Sequence, residues 1–204
     1  GNTYKKCESI GSNDVLYEKQ DFISDLQMDY PGAVYKFYHT QQDAETNSKN
    51  FIDFPVKASY NSGQPTEIFV RVETPSGGFI QVVKLLLLVK RLPVLNQDIL
   101  KIPELCDDDG DGKAVFDLTQ GEKMLVSDPK DYRFKYFSTL EDAITEGSIP
   151  IANPNSFISG DSSVYVRVST NPLNDNDISC FLTAKLDLKV KLHSSSSDTI
   201  ETCS

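Results

Sequence analysis

The sequence is poor in histidine, cysteine and basic residues, and each shortage argues against a class of protein. Its 204 residues include two histidines, His39 and His193, and neither lies in a nucleophile or metal motif. Lys and Arg number 20 against 30 Asp and Glu, so the net charge of -10 would repel a phosphate backbone. The four cysteines are too sparse for a disulfide-stapled miniprotein and show no zinc spacing. We therefore expect neither an enzyme nor a nucleic-acid-binding protein.

Long apolar runs are also missing. The longest one, Leu85 to Val89, lies between Lys84 and Lys90, whereas a helix that crosses a bilayer needs about 20 apolar residues. No signal peptide is present, and the chain opens at Gly1 as though cut from something longer. We expect a fragment of a larger protein, without a transmembrane segment.

What the sequence does contain is an internal repeat. Cys7, Cys106 and Cys203 stand 99 and 97 residues apart. The stretch YKFYHTQQDA from Tyr35 aligns with FKYFSTLEDA from Phe134, and EIFVRVET aligns with SVYVRVST. The alternation of residue types in the second pair is typical of a β-strand. Short strands separated by Gly, Pro, Asn and Asp predict an all-β fold of two tandem immunoglobulin-like β-sandwich domains.

The repeat also sets the expected boundaries. A degenerate repeat covers residues 1–91, a linker with Pro93 and Pro103 covers 92–103, and a second repeat covers 104–193. Residues 194–204, which include a serine run, form a further linker and the start of a third repeat. One departure from strand pattern is expected: TLEDAIT and its counterpart QQDAET have the composition of a single helical turn that crosses between sheets.

The last strand of each repeat is expected to place alternate residues in the core. These are Leu85, Leu87 and Val89 in the first repeat and Leu186, Leu188 and Val190 in the second. On the opposite face the first repeat carries Leu86 and Leu88, where the second carries Asp187 and Lys189. The linker or the second domain would cover these two leucines, or else they form a partner surface.

A second candidate surface lies on the strand before the last. Phe69 and Arg71 of the first repeat match Tyr165 and Arg167 of the second, and the strand pattern points them outward. Aromatic rings and guanidinium groups can bind a sugar. They can equally stack across strands and pair with each other without a ligand.

The second repeat begins with an acidic motif. Asp107, Asp109 and Asp111 followed by Gly112 give D-x-D-x-D-G, the first half of an EF-hand loop, in which alternate carboxylates converge on calcium. The carbonyl of Lys113 falls at the next ligand position, and Asp117 is a candidate to complete the shell. The bidentate Glu of an EF-hand is missing. The alternatives are therefore a calcium site of another type and a solvated acidic turn.

CDDDGDGKAVFDLTQ from Cys106, followed by an EDA element and a YVRV strand, resembles a known repeat type. It is similar to the tandem repeats of very large secreted surface proteins of Bacteroidetes, many of them gliding-motility-associated or adhesin-like substrates of the type IX secretion system. The first repeat departs from this pattern, because it lacks the aspartates and has Phe79 in place of Cys180. The resemblance implies an extracellular location at the cell surface.

For a secreted protein, a disulfide between Cys106 and Cys180 is the favoured pairing. The two cysteines lie in the expected first and last strands of the second repeat, so their bond would close a long loop. Cys7 would then lack a partner inside its own repeat, and Cys203 would pair further downstream. The alternative is that Cys106 and Cys180 are two buried free thiols.

Three functions remain open at this point. The first is a non-enzymatic spacer whose repeats contact neighbouring repeats of the same chain. The second is an adhesive module that binds a surface carbohydrate or protein. The third is a non-catalytic domain attached to a secreted hydrolase. Degeneracy of the first repeat favours the spacer, because a spacer needs only its core.

Overall fold

The computed structural model describes residues 2–171 and 177–191 and has two compact units. The first unit contains the first repeat as far as Arg91, together with Asp177 and Ile178 from the second repeat. The second unit starts at Leu92. Each is an immunoglobulin-like β-sandwich, and the predicted fold class of two tandem domains is confirmed.

The first unit is built on a four-stranded sheet in the order β1-β6-β5-β3. The strands are β1 (Thr3–Cys7), β3 (Val34–Tyr38), β5 (Thr66–Glu73) and β6 (Phe79–Lys90). An antiparallel pair, β2 (Asp14–Tyr17) with β4 (Val56–Ser59), forms the second layer. Strand β1 runs parallel to the end of β6, so that Cys7 lies opposite Lys90.

Two helices join these strands. Helix α1 (Gln20–Asp29) buries Phe22 and Leu26, which are four residues apart and so share one helical face. The sequence pattern did not predict this helix. Helix α2 (Gln41–Thr46) is the expected helical turn after β3.

The second unit repeats the plan with the sheet order β10-β12-β13-β7. The strands are β7 (Ile99–Lys101), β10 (Tyr132–Phe137), β12 (Ser162–Thr170) and β13 (Phe181–Leu188). The other layer contains β9 (Ala114–Phe116) paired with β11 (Phe157–Ser159), and β8 (Leu105–Cys106) paired with β14 (Val190–Lys191). Helices α3 (Glu122–Leu125) and α4 (Leu140–Ile144) are short.

The segment expected to be a linker differs from the prediction. Strand β7 lies within it and pairs in parallel with β13, so residues 99–101 belong to the second sandwich. Pro103 separates β7 from β8, because proline has no backbone N–H to donate to a ladder. Pro103 therefore interrupts strand pairing inside the second domain and does not mark the boundary between the two domains.

The helical turn after the aromatic strand has the same local cause in both repeats. At α4, the Thr139 hydroxyl accepts a hydrogen bond from the Asp142 backbone N–H at 3.1 Å and donates to its carboxylate at 2.7 Å. Thr40 and Asp43 make the same two contacts at α2. A threonine at the N-cap with an acidic residue three positions later stabilises a helix start, and this explains why both turns are helical.

Each unit has its own core. The expected inward positions Leu85, Leu87 and Val89 are buried in the first, and Leu186 and Leu188 are buried in the second. Val190 is half-buried and packs against the second core. No described helix has the length and apolar character to span a membrane.

Candidate functional site

The acidic motif lies in the loop between β8 and β9. Ligand oxygens of Asp107, Asp109 and Asp111 all lie within 4.8 Å of one another. Two glycines with positive φ, Gly110 and Gly112 at +79° each, make the turn that brings the three carboxylates together. The side chains that the sequence singled out as a cation site therefore do converge.

Asp107 is the buried member of this cluster and organises the loop. Its Oδ1 accepts hydrogen bonds from the backbone N–H groups of Gly110 at 2.8 Å and Asp111 at 3.1 Å, and its Oδ2 accepts one from Gly112 at 2.8 Å. Burial alone would raise the pKa of Asp107, but these N–H donors outweigh it and hold the pKa below its ordinary value. The loop conformation is therefore stabilised by the chain's own hydrogen bonds.

The two remaining predicted ligands behave differently from the three aspartates. The backbone N–H of Lys113 donates to Asp111 Oδ1 at 2.8 Å, and its ammonium lies 3.6 Å from Asp111 Oδ2. Asp117 caps the following 3₁₀ turn, accepting from the Thr119 N–H at 3.0 Å and from the Thr119 hydroxyl at 2.6 Å. Asp117 is not part of the converging cluster, and its role in completing a calcium shell stays a prediction.

An open cavity of about 420 Å³ adjoins the loop. Its walls include the cross-strand neighbours Val115 and Ile158, which are both exposed, together with Leu105 and the acidic side chains. In the first repeat the strand pair β2-β4 places Lys57 opposite Leu16, and Lys57 forms an ion pair with Asp14. The second repeat thus has two apolar side chains, Val115 and Ile158, opposite each other beside the acidic loop, whereas the first repeat has Leu16 opposite the charged Lys57.

Gly160, in the turn between β11 and β12, allows the acidic loop to pack closely against that turn. A Cβ atom at this position would lie 2.9 Å from the Gly112 carbonyl oxygen. The backbone of the acidic loop therefore packs directly on Gly160, and any side chain there would displace the loop.

The structure does not place Arg71 and Arg167 on an exposed sugar-binding face. The two side chains are 9% and 8% exposed. Arg167 lies between the rings of Phe137 and Phe181, at 5.0 and 4.6 Å from their centroids. Its guanidinium donates to the carbonyls at the C-terminal end of α4, those of Asp142, Ala143 and Thr145, at 3.1, 2.6 and 2.7 Å. Helix C-termini attract cations, so this arginine fastens α4 to the sheet.

Arg71 does the same for α2. It donates to the carbonyls of Ala44 and Glu45 at 3.0 and 2.9 Å and to Glu73 at 2.6 Å. Phe69 is 8% exposed and packs with Tyr38 and Ala44, while Tyr165 is half-buried. Helix α2 covers this face of the sheet. Side chains that the strand pattern directs away from the core therefore do not lie on a free surface. Burial withdraws Phe69, Arg71 and Arg167 from the predicted partner surface, and a partner role for the half-buried Tyr165 stays a prediction.

Leu86 and Leu88 are half-buried. They lie opposite Thr3 and Lys5 in the β1-β6 ladder, and the Leu88 carbonyl accepts a hydrogen bond from the Tyr17 hydroxyl at 2.9 Å. Their role as a partner surface stays a prediction. His39 is exposed, as expected for a surface position, and His193 and Cys203 lie outside the described residues.

The three described cysteines, Cys7, Cys106 and Cys180, are all disulfide-bonded. The predicted Cys106–Cys180 pairing is wrong, because the strand register holds these residues apart. Cys106 lies opposite Lys191 at the end of the last strand, whereas Cys180 precedes the start of β13. Lys191 follows Cys180 by eleven residues, which span roughly 36 Å in extended chain, and a disulfide needs Cα atoms within about 7 Å.

Cys7 has a partner although the first repeat contains no second cysteine. Its bond must therefore reach a cysteine beyond that repeat. The sequence matches the Flavobacterium inter-domain disulphide bond domain, FIDD, over residues 3–93 and 102–194. The chain belongs to the FIDD family. A signal for this arrangement was present in the sequence: Cys7 and Cys106 occupy equivalent positions, while Phe79 replaces the equivalent of Cys180, so an intra-repeat bond cannot be the rule for both FIDD repeats.

No curated protein matches the FIDD chain. Among solved structures it is similar to human mucin-like protocadherin EC1-2, at 11% identity and a TM-score of 0.31 over 94% of this chain and 96% of the other. Fibronectin(III)-like modules of Clostridium thermocellum CbhA give 13% identity, a TM-score of 0.27 and coverage of 94% and 90%. Chicken VE-cadherin EC1-2 gives 11% identity, a TM-score of 0.24 and coverage of 94% and 98%.

Proposed function

We propose that the chain is a pair of non-enzymatic spacer domains from a large extracellular surface protein of the adhesin or motility type, with Cys7 of the first repeat bonded to Cys180 of the second. The observation that carries the proposal is the disulfide at Cys7, which has no possible partner within its own repeat. Membership of a family named for an inter-domain disulphide bond supports a bond between the two repeats. Stable disulfides are typical of oxidising, extracellular compartments.

A covalent bond between repeats suits a spacer for a mechanical reason. Domains joined only by a linker move relative to one another by default, because their interface is small. A disulfide between two domains adds a covalent tether that restricts this motion. The adhesive alternative, in which the repeats bind a surface carbohydrate or protein, has less support. Its main candidate residues, Arg71 and Arg167, are buried under helices and are not available to a ligand.

The pairing and its mechanical role are tested together. Non-reducing peptide mapping of the intact chain is expected to give a Cys7–Cys180 peptide, and small-angle scattering is expected to show a narrower distribution of inter-domain distances before reduction than after it. A Cys7→Ser/Cys180→Ser double variant should match the reduced protein. Recovery of Cys7 as a free thiol, or an unchanged distance distribution in the double variant, would rule out the proposed staple.

The acidic loop supports a second, additional role in calcium binding. Three convergent carboxylates repel one another, and a divalent cation turns that repulsion into attraction. The structurally equivalent first repeat lacks these aspartates and serves as an internal reference. Extracellular calcium modules have dissociation constants of roughly 0.1 to 1 mM, so 1 mM calcium would stabilise the fold by about 0.4 to 1.4 kcal/mol.

Calorimetric titration of the intact chain decides whether the loop takes calcium. We expect one site in the wild type, none in Asp109→Ala, and unchanged binding in Asp131→Ala, a carboxylate outside the loop. Equal heats from wild type and Asp109→Ala would leave the loop as a hydrogen-bonded acidic turn. Asp109 is the suitable position because, unlike Asp107, it is exposed and its loss leaves the hydrogen bonds of Asp107 in place.

A further inference from the structure

The last strand of the second sandwich changes its pairing partner at Lys189. Strand β13 ends at Leu188, which lies opposite Ser162 of β12, whereas β14 starts at Val190 and pairs with β8 in the other layer. Asp161 Oδ1 accepts a hydrogen bond from the Val190 N–H at 2.8 Å, and its Oδ2 lies 2.7 Å from the Lys189 ammonium. These two partners hold the pKa of Asp161 below its ordinary value. The Asp161 side chain therefore takes over a backbone donor at the point where the strand leaves β12.

The acidic loop between β8 and β9 contacts β14 by two routes. On the β8 side, the Asp107 backbone N–H donates to the Lys191 carbonyl at 3.1 Å. On the other side, the Gly112 carbonyl packs on Gly160, where a Cβ atom would lie 2.9 Å from it. Gly160 immediately precedes Asp161, which binds the Val190 N–H. The loop therefore touches β14 directly through Asp107 and indirectly through the turn that presents Asp161.

The first repeat keeps only the backbone part of this arrangement. Glu8 stands at the position of Asp107, and its N–H donates to the Lys90 carbonyl at 2.9 Å. The three residues of the turn contact are all replaced: Gln64, Pro65 and Leu88 stand at the positions of Gly160, Asp161 and Lys189. Strand β6 runs unbroken from Phe79 to Lys90. The acidic loop, the glycine and the aspartate thus occur together, in the repeat whose last strand is divided.

We propose that the acidic loop, the Gly160–Asp161 turn and β14 form a latch that closes the second sandwich. The ordered loop seats the turn, and the seated turn holds β14 on β8. A perturbation of the loop therefore reaches the last strand, and a perturbation at Asp161 reaches the loop, because coupling between two sites is reciprocal. A cation bound in the loop would tighten the latch, and this last step rests on the proposed calcium role.

Amide hydrogen exchange of the intact chain, followed by NMR without calcium, tests the latch. Asp161→Ala removes the acceptor of the Val190 N–H, so faster exchange of that amide is expected from the local loss alone. The informative amides are those of Asp107 and Gly112, whose hydrogen bonds do not involve Asp161. We expect both to exchange about tenfold faster or more. Gly160→Ala should speed exchange at Val190 as well, because its Cβ would displace the Gly112 carbonyl.

Asp128→Ala is the matched control. The side chains of Asp128 and Asp161 are 52% and 53% exposed, and each pairs with a lysine, at 3.0 and 2.7 Å. Asp128→Ala should leave the exchange rates at Asp107 and Gly112 within about twofold of wild type. The Leu86 N–H, which donates to the Asn2 carbonyl in the first repeat, is the internal reference. Unchanged exchange at Asp107 and Gly112 in Asp161→Ala, or an equal acceleration at Leu86, would overturn the latch.

Addition of calcium separates the latch from the calcium role. We expect slower exchange at Gly112 and Val190 in the wild type, and at Gly112 alone in Asp161→Ala. Slower exchange at Gly112 without any change at Val190 in the wild type would overturn the latch and leave the calcium role intact. No change at either amide would overturn the calcium role, whereas acceleration at Asp107 and Gly112 in Asp161→Ala would still support the latch.

Discussion

Replacement of Arg167 by alanine tests the assignment of this side chain as a structural fastener. The substitution removes three hydrogen bonds from a charged donor to the end of α4 and the stacking between Phe137 and Phe181. Each such hydrogen bond contributes about 1.5 to 3 kcal/mol. The freed carbonyls can accept water once the side chain is gone, so the effects are not additive. We expect a loss of about 3 to 5 kcal/mol.

Urea denaturation of the intact chain with its disulfides formed provides the measurement. The transition of the second repeat should move to lower urea, and its thermal midpoint should fall by about 12 °C or more for a domain of this size. Arg167→Lys should lose about 1 to 3 kcal/mol, because an ammonium cannot stack between two rings or reach three carbonyls at once. Arg133→Ala on the adjacent strand is the control, since Arg133 is exposed and should lose under about 0.5 kcal/mol.

A loss of less than about 1 kcal/mol of unfolding free energy in Arg167→Ala, or a loss no larger than in Arg133→Ala, would refute the role of Arg167 as a structural fastener. Either result would mean that α4 is held by other contacts. It would also reopen the possibility that this side chain is retained for a ligand.

Two further predictions concern the packing and the acidic loop of the second repeat. Gly121→Ala should lower the free energy of unfolding by about 1 to 3 kcal/mol in urea denaturation, because its Cβ would lie 2.7 Å from Leu100 Cδ2 in the core. An unchanged urea midpoint would show that the Leu100 side chain moves aside at no cost. The pKa of Asp107 is lowered in the folded state, so its stabilising contribution is complete above the unfolded pKa of about 3.9 and is lost as pH falls through the folded value. Asp107→Asn should therefore be less stable than wild type at neutral pH, and it should lose less of its unfolding free energy on acidification below about pH 4. Parallel curves of unfolding free energy against pH for the two proteins would contradict this.

Much of the fold could be predicted from local pattern. The alternation in β5 places Ile68, Val70 and Val72 in the core, and all three are fully buried. Leu85, Leu87 and Val89 follow the same rule on β6. A period of two needs no knowledge of the neighbouring strands. Helix α1 escaped prediction, because it buries only Phe22 and Leu26 in an otherwise polar segment.

The face opposite the core could not be predicted in the same way. Periodicity identifies which side of β5 and β12 each residue lies on, but not what covers that side. The helical turns were expected from TLEDAIT and QQDAET. That they lie over Arg71 and Arg167 depends on where the crossover passes relative to the sheet. A charged residue on the outer face therefore suggested a surface, whereas the structure makes it a buried helix anchor.

The sequence by itself determined the repeat, the strand cores and the convergence of Asp107, Asp109 and Asp111, because these depend on neighbours within a few residues. That Cys106 and Cys180 do not pair with each other was decided only by tertiary structure. The pairing of β8 with β14 puts Cys106 opposite Lys191, at the far end of the last strand from Cys180. Cys180 lies just before β13, in a different sheet from the β8-β14 pair, and this pairing of strands is a long-range property that spacing along the chain does not contain.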